Sequence, residues 1–222
     1  MSSRTPYAHS LDDPELRKLY REAGFSGRVG WGSRPAVLVI DMAKAWTDRD
    51  EQLGADVEPT LKAVVTLLGA AREHDVPIIF TTMAYDPAMI EAGPVVTAKT
   101  PHSKLMLRGS ERTRLCPELG RRDDEPLVEK PRASAFFGTN VLSMLVGLGA
   151  DTVIVVGVST SGCVRSTCES AFNHNLHVIV PRDAVADRST SAHAGALMDI
   201  DARFGDVTTV DDVLNHLSTT NA

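Results

Sequence analysis

Three residues able to act on a carbonyl stand where runs of one periodicity give way to another: Cys163, Asp41 and Lys130. Cys163 closes the turn Val158-Ser-Thr-Ser-Gly-Cys163, between an apolar run and a helical pattern. Ser159, Thr160 and Ser161 can each cap a helix start, and Gly162 lets the backbone turn tightly. A thiol in a first helical turn faces unpaired amides and the positive end of the helix dipole, which stabilise an anion. That setting predicts a lowered thiol pKa and a thiolate available near neutral pH. Asp41 closes Ala36-Val-Leu-Val-Ile-Asp41, and Lys130 closes Leu127-Val-Glu-Lys130. Each alone has a bland explanation: a small buried hydrophobe, a carboxylate capping amides, a solvated lysine. Together a nucleophile, a proton carrier and a cation are more informative than any one of them. Cys168 lies on the apolar stripe of its helix and reads as core, while Cys116, before Pro117 in a polar segment, has no chemical company.

These residues must be positioned by the elements around them. Ala36–Asp41, Pro77–Thr82, Leu127–Lys130, Thr152–Gly157, His177–Pro181 and Val207–Val210 read as strands. Between them, Val57–His74 carries a helical stripe of Leu61, Val64, Val65, Leu67, Leu68 and Ala71. Gly138–Gly149, Cys163–Asn175, Ser189–Asp201 and Asp211–Leu217 read as further helices. Alternating strands and helices imply an α/β fold: a three-layer α/β/α arrangement around a six-stranded, mostly parallel sheet. In such sheets ligands bind beyond the carboxyl ends of the strands, which is where Asp41, Thr81, Thr82, Lys130 and the cysteine turn fall. Residues 1–30 read as an N-terminal arm with one short helix, Pro14–Glu22, and residues 31–218 as one domain. Ala84 to Pro126 is a long polar connection, the kind that is either functional or disordered.

Composition removes several classes of function. The chain has 222 residues, with 23 Lys and Arg against 29 Asp and Glu, for a net charge of −6. No basic face is evident, so nucleic acid is not expected as a partner. Apolar runs such as Val153–Val158 fall far short of the ~20 residues a membrane span needs. The polar first thirty residues show no secretory signal, and an odd count of three cysteines fits a reducing cytosol. His174 and His177 straddle a helix end and a strand start, which is poor geometry for a metal. With no histidine beside Cys163 in sequence, a Cys–His pair has no support.

The strand-end aspartate (Val37–Asp41), Lys130 with Ser134–Thr139, and the turn Thr160–Arg165 together resemble the cysteine hydrolases of the isochorismatase-like superfamily. The resemblance runs from about Trp31 to Leu217. It is nearest to N-carbamoylsarcosine amidases and maleamate amidases, on Gly30–Ala36, Ala45–Asp48, Leu53–Asp56, Ser134–Thr139 and Asp199–Phe204. Two departures narrow it. Residues 42–57 hold no histidine, so the metal site of nicotinamidases is not expected and no cofactor is implied. True isochorismatases lack the nucleophilic cysteine, so Cys163 argues for C–N cleavage.

The resemblance implies an Asp41–Lys130–Cys163 arrangement in which Asp41 moves protons, Cys163 attacks and Lys130 holds charge. It also implies oxyanion donors at the backbone amides of Ser159 and Cys163, and a non-proline cis peptide at Val158–Ser159. Arg188 matches the position where carbamoylsarcosine-type enzymes bind a carboxylate, and Trp46, Phe136, Phe137 and Thr160 are candidate pocket residues. The expected substrate is a small linear amide carrying a carboxylate, of N-carbamoylsarcosine type, cleaved through a thioester with release of ammonia. Maleamate or a related amide acid of heterocycle breakdown is the alternative. A non-catalytic thiol or binding protein on the same fold is a third, and vinyl-ether hydrolysis a distant fourth. A cytoplasmic homo-oligomer, a tetramer, is expected.

Overall fold

The computed structural model describes residues 13–220. In chain order the elements are α1 (Pro14–Glu22), β1 (Pro35–Ile40), α2 (Lys44–Thr47), α3 (Glu58–Glu73), β2 (Ile78–Met83), α4 (Gly93–Lys99), β3 (Leu127–Lys130) and α5 (Val141–Leu148). They continue with β4 (Thr152–Val158), α6 (Arg165–Asn173), β5 (His177–Pro181), β6 (Val185–Ala186), α7 (Thr190–Arg203), β7 (Asp206–Thr208) and α8 (Val210–Thr220). The arm helix is present as expected, capped by the Asp13 side chain on the amides of Glu15 and Leu16. Residues 1–12 of the arm lie outside the described residues.

The sheet order is β3-β2-β1-β4-β5-β7, and every pairing is parallel. The six-stranded expectation needs one correction: β6 is a seventh strand, pairing with β4 through Gly157↔Val185 and Val158↔Ala186. It takes over the edge of β4 beyond Ile154, where pairing with β5 stops. Two residues are too few to carry a period-2 signal, so the sequence pattern cannot reveal it.

The central strands β1, β4 and β5 are largely apolar because both faces are covered, whereas the edge strand β3 alternates exposed and buried residues. Ala36, Leu38 and Ile40 of β1 turn to one layer with Val141, Leu145, Cys168 and Leu197; Val37 and Val39 turn to the other with Leu67, Leu68, Val213 and Leu217. In α3 the buried stripe is Thr60, Val64, Leu67, Leu68 and Ala71, while Val65 points to solvent. Among the described residues no helix is long and apolar enough to cross a membrane.

The long polar connection is ordered, containing α4 and three short 3₁₀ turns at Pro101–Leu105, Glu111–Thr113 and Pro117–Leu119. Arg108 ties it down by bridging Glu91 and Glu129, and Arg72 pairs with buried Glu125 at 2.7 Å. The Gly30–Ala36 and Asp199–Phe204 motifs also do structural work. Ser33 and Arg34 donate their amides to Asp151, and Arg165 at the start of α6 is paired with Asp199 on α7.

Candidate active site

β1 and β4 are neighbours at the centre of the sheet, and the chain leaves them toward opposite edges, β2 and β3 on one side and β5 and β7 on the other. That reversal opens a crevice at the carboxyl ends of β1 and β4. Asp41 leaves β1 with φ of 49°, a left-handed conformation that Asp tolerates better than most residues. The twist turns its amide to Thr81 O (3.2 Å) and its Oδ1 to the hydroxyl of Thr81, which donates at 3.0 Å. β4 approaches so closely that a Cβ on Gly157 would lie 2.1 Å from Ile40 O, and the φ of 111° at Gly157 also favours glycine. The next peptide but one, Val158–Ser159, is cis.

Lys130 comes from β3, two strands from β1, a separation of about 10 Å at ~4.8 Å per strand. Of the common side chains, lysine and arginine alone have the reach, and Lys130 brings Nζ to 2.7 Å from Asp41 Oδ2. Its ammonium also donates to the carbonyls of Arg132 and Ala133, both at 3.0 Å. The contact with Oδ2 is an ion pair off the hydrogen-bond axis, which leaves that oxygen without an aligned donor. Cys163 lies close enough to both Asp41 and Lys130 for each to act on its thiol electrostatically. The three residues from separate strand ends therefore meet in one place, with Asp41 and Lys130 0% and Cys163 8% exposed.

The electrostatics differ from the expectation of a ready thiolate. Burial pushes the Cys163 thiol up to about 12; Lys130 pulls it down, but the Asp41 carboxylate pushes it up again. Cys163 also lies ahead of α6, inside a wide turn over Thr160–Val164 in which Val164 N donates to Ser159 O at 3.2 Å. The helix begins at Arg165 instead of at Cys163. The correction has a physical reason: loss of hydration and a neighbouring carboxylate outweigh a helix terminus displaced by two residues. Lys130 goes the other way. Burial would lower it, yet the Asp41 carboxylate and the Cys163 sulfur more than offset this and raise its pKa. The resting site thus holds a neutral thiol beside a lysine that stays charged. Alkylation of Cys163 by iodoacetamide should consequently accelerate about tenfold per pH unit from 7 to 9, without a plateau. Intact-mass kinetics read this, and a plateau near neutrality would contradict it.

The other predicted residues are placed less uniformly. Thr160 is fully buried, its Oγ1 2.8 Å from His193 Nδ1. Arg188 is exposed, donates to Leu53 O at 2.6 Å and lies 5.9 Å from the ring centroid of half-buried Trp46. Phe136 packs 5.4 Å from the His174 ring, at the far end of α6 from Cys163. The amide of its neighbour Ala135 donates to Thr167 Oγ1, and Phe136 packs against the core cluster that includes Cys163. Phe137 is largely exposed. Cys168 is in the core and Cys116 is half-buried against Thr47 Oγ1.

Three residues at the site were not anticipated. His193 reaches the nucleophile turn from α7, and Asp187 Oδ2 accepts from both the amide and hydroxyl of Ser161. Tyr85 is buried within electrostatic reach of Lys130, and its hydroxyl donates to Met83 Sδ at 3.2 Å. Only Tyr85 left a trace in the sequence, two residues past a strand end. Among the described residues no group of three or more His, Cys, Asp or Glu could hold a metal.

Comparison with known proteins gives consistent relatives. The family model for the isochorismatase domain matches residues 35–212. Maleamate amidohydrolase from Pseudomonas putida is 35% identical over 191 residues, covering 86% of this chain and 90% of that protein. N-carbamoylsarcosine amidase from an Arthrobacter species is 35% identical over 204 residues, covering 90% of this chain and 77% of that one. The crystal structure of a cysteine hydrolase from Pseudomonas syringae pv. phaseolicola superposes with a TM-score of 0.83 at 23% identity, covering 87% of this chain and 98% of that one.

Proposed function

Because this chain belongs to the isochorismatase family and is a hydrolase of C–N bonds other than peptide bonds, we propose that it cleaves a small linear amide bearing a carboxylate, through a thioester on Cys163. The observation that carries this reading is the buried Lys130–Asp41 ion pair with the Cys163 thiol within electrostatic reach of both.

In this reading Asp41 takes the thiol proton as the sulfur attacks the amide carbon. The oxyanion is received by the backbone amides of Ser159 and Cys163, an arrangement in which each donor is worth roughly 3–4 kcal/mol. Asp41 returns the proton to the leaving nitrogen, the C–N bond breaks and ammonia departs, leaving a thioester. Water then enters, gives its proton to Asp41 and attacks the thioester. Collapse of that intermediate releases the acid and returns the proton to the sulfur. Lys130 keeps its charge throughout, so the site never holds an unbalanced carboxylate. The neutral resting thiol supports this order of events, since attack requires a base and Asp41 is the base within reach.

For the substrate, Arg188 is the proposed carboxylate partner because a guanidinium binds a carboxylate with two parallel hydrogen bonds. In the structure that fork is engaged by Leu53 O, so the substrate carboxylate would replace the carbonyl. The two relatives at 35% identity are named for different substrates, maleamate and N-carbamoylsarcosine. Ammonia release from N-carbamoylsarcosine, other N-carbamoyl amino acids, maleamate and nicotinamide separates them, and carbon dioxide from the carbamoyl substrates identifies the first class. Arg188→Ala should raise KM for the preferred acid about tenfold or more with little change for its neutral amide analogue. No turnover of any acid amide would end the proposal, and an unchanged KM would remove Arg188 from it.

A further inference from the structure

The histidine that reaches the nucleophile turn has no part in the proton transfers above, yet its place is specific. His193 sits in the first turns of α7, thirty positions after Cys163, and puts Nδ1 2.8 Å from Thr160 Oγ1. Thr160 is the residue after Ser159, is 0% exposed, and lies in the wide turn that contains Cys163. A second tie joins the same two elements, because Asp187, just before α7, accepts from the amide and hydroxyl of Ser161. The turn is thus held from outside by two side chains, one charged and one able to titrate.

We propose that His193 is a positioning residue: as neutral imidazole it accepts the hydrogen bond of Thr160 and so fixes the turn that presents the Ser159 and Cys163 amides to the substrate oxygen. The inference rests on the oxyanion reading of those amides. A buried hydroxyl needs an acceptor for its proton, and a neutral imidazole offers one nitrogen for that purpose while the other keeps its hydrogen. An imidazolium has only donors. Protonation would reverse the bond and leave the Thr160 proton facing a donor in a buried place. Burial lowers the pKa of His193 and the Asp187 carboxylate partly opposes it, so the ring is neutral at pH 7. Among charged groups on elements packed against α7, Arg165 is paired with Asp199 and Glu169, and Asp206 accepts from the amides of Val29 and Gly30. Asp187 is the one that acts on His193.

His193→Leu should lower kcat for ammonia release about 10- to 100-fold with KM within about twofold, the signature of misplaced transition-state donors. His193→Asn, whose amide oxygen can stand where Nδ1 stands and does not protonate, should recover part of that loss and move the acid limb of kcat to lower pH. Thr160→Val should match the leucine variant and add little to it in combination, and it replaces that variant in the test if the leucine protein does not fold. Iodoacetamide alkylation of Cys163 gives a reading that needs no substrate: it should slow at least threefold in His193→Leu. Unchanged kcat, a loss confined to KM, or an acid limb identical in His193→Asn would overturn the proposal. If the wild-type protein releases ammonia from no amide, the functional reading fails, and unchanged alkylation would then dismiss the positioning role separately.

Discussion

Cys163→Ala should abolish ammonia release, with kcat falling by about 10⁴-fold or more, while the protein folds as before. Among the described residues Cys163 is the thiol on which both Asp41 and Lys130 act, so on the proposed reading no other cysteine can take over its step. Truncating one sulfur from a site already closed to solvent costs little packing, so thermal unfolding should move by only a few degrees. Cys163→Ser makes the argument sharper. A serine hydroxyl is a weaker acid than even this raised thiol, and the carboxylate that suffices to deprotonate sulfur should not suffice for oxygen. The serine protein should therefore be within about tenfold of the alanine one. Mass spectrometry of wild-type enzyme quenched during turnover should find one acyl group, on the peptide containing Cys163. Retention of more than about 1% of activity in the alanine variant would dismiss the covalent mechanism.

The second large effect concerns stability as well as rate. Lys130→Met should lower the unfolding free energy by about 3–5 kcal/mol, because it leaves a buried carboxylate without its cation. For a chain of this size that is a fall in Tm of roughly 6–20 °C. The carbonyls of Arg132 and Ala133 lose their donor in the same stroke. Activity should drop by more than about 10³-fold, since the Cys163 thiol loses the cation that pulls its pKa down. The double variant Asp41→Asn with Lys130→Met is the control: it removes both charges and should regain a good part of the stability but none of the rate. Calorimetry on the two proteins decides the matter. A single Lys130→Met variant as stable as wild type would show the pair to be energetically idle.

How far the sequence reaches is clear from where its reading stopped. Asp41 and Lys130 could be found because each closes a run that reads as a strand, and a side chain at a strand's carboxyl end faces the crevice in a parallel sheet. Cys163 could be found because three capping residues and a glycine precede it. The thiol's protonation state could not, since it depends on complete burial and on a carboxylate that approaches only after folding. Nor could the true start of α6, because a turn two residues longer than expected has the same composition as a helix cap. His193 was invisible for a related reason: its partner Thr160 is thirty-three positions away, and one helical residue among small neighbours carries no periodic signal. The packing of Phe136 was equally hidden, because its ring partner His174 lies thirty-eight positions along the chain.

The closed, uncharged state of the sulfur has a bearing on how the protein endures between substrates. Peroxides and disulfides react with the anion, which burial and the Asp41 carboxylate disfavour here. In the proposed reaction that same protonation state would shelter the sulfur between turnovers.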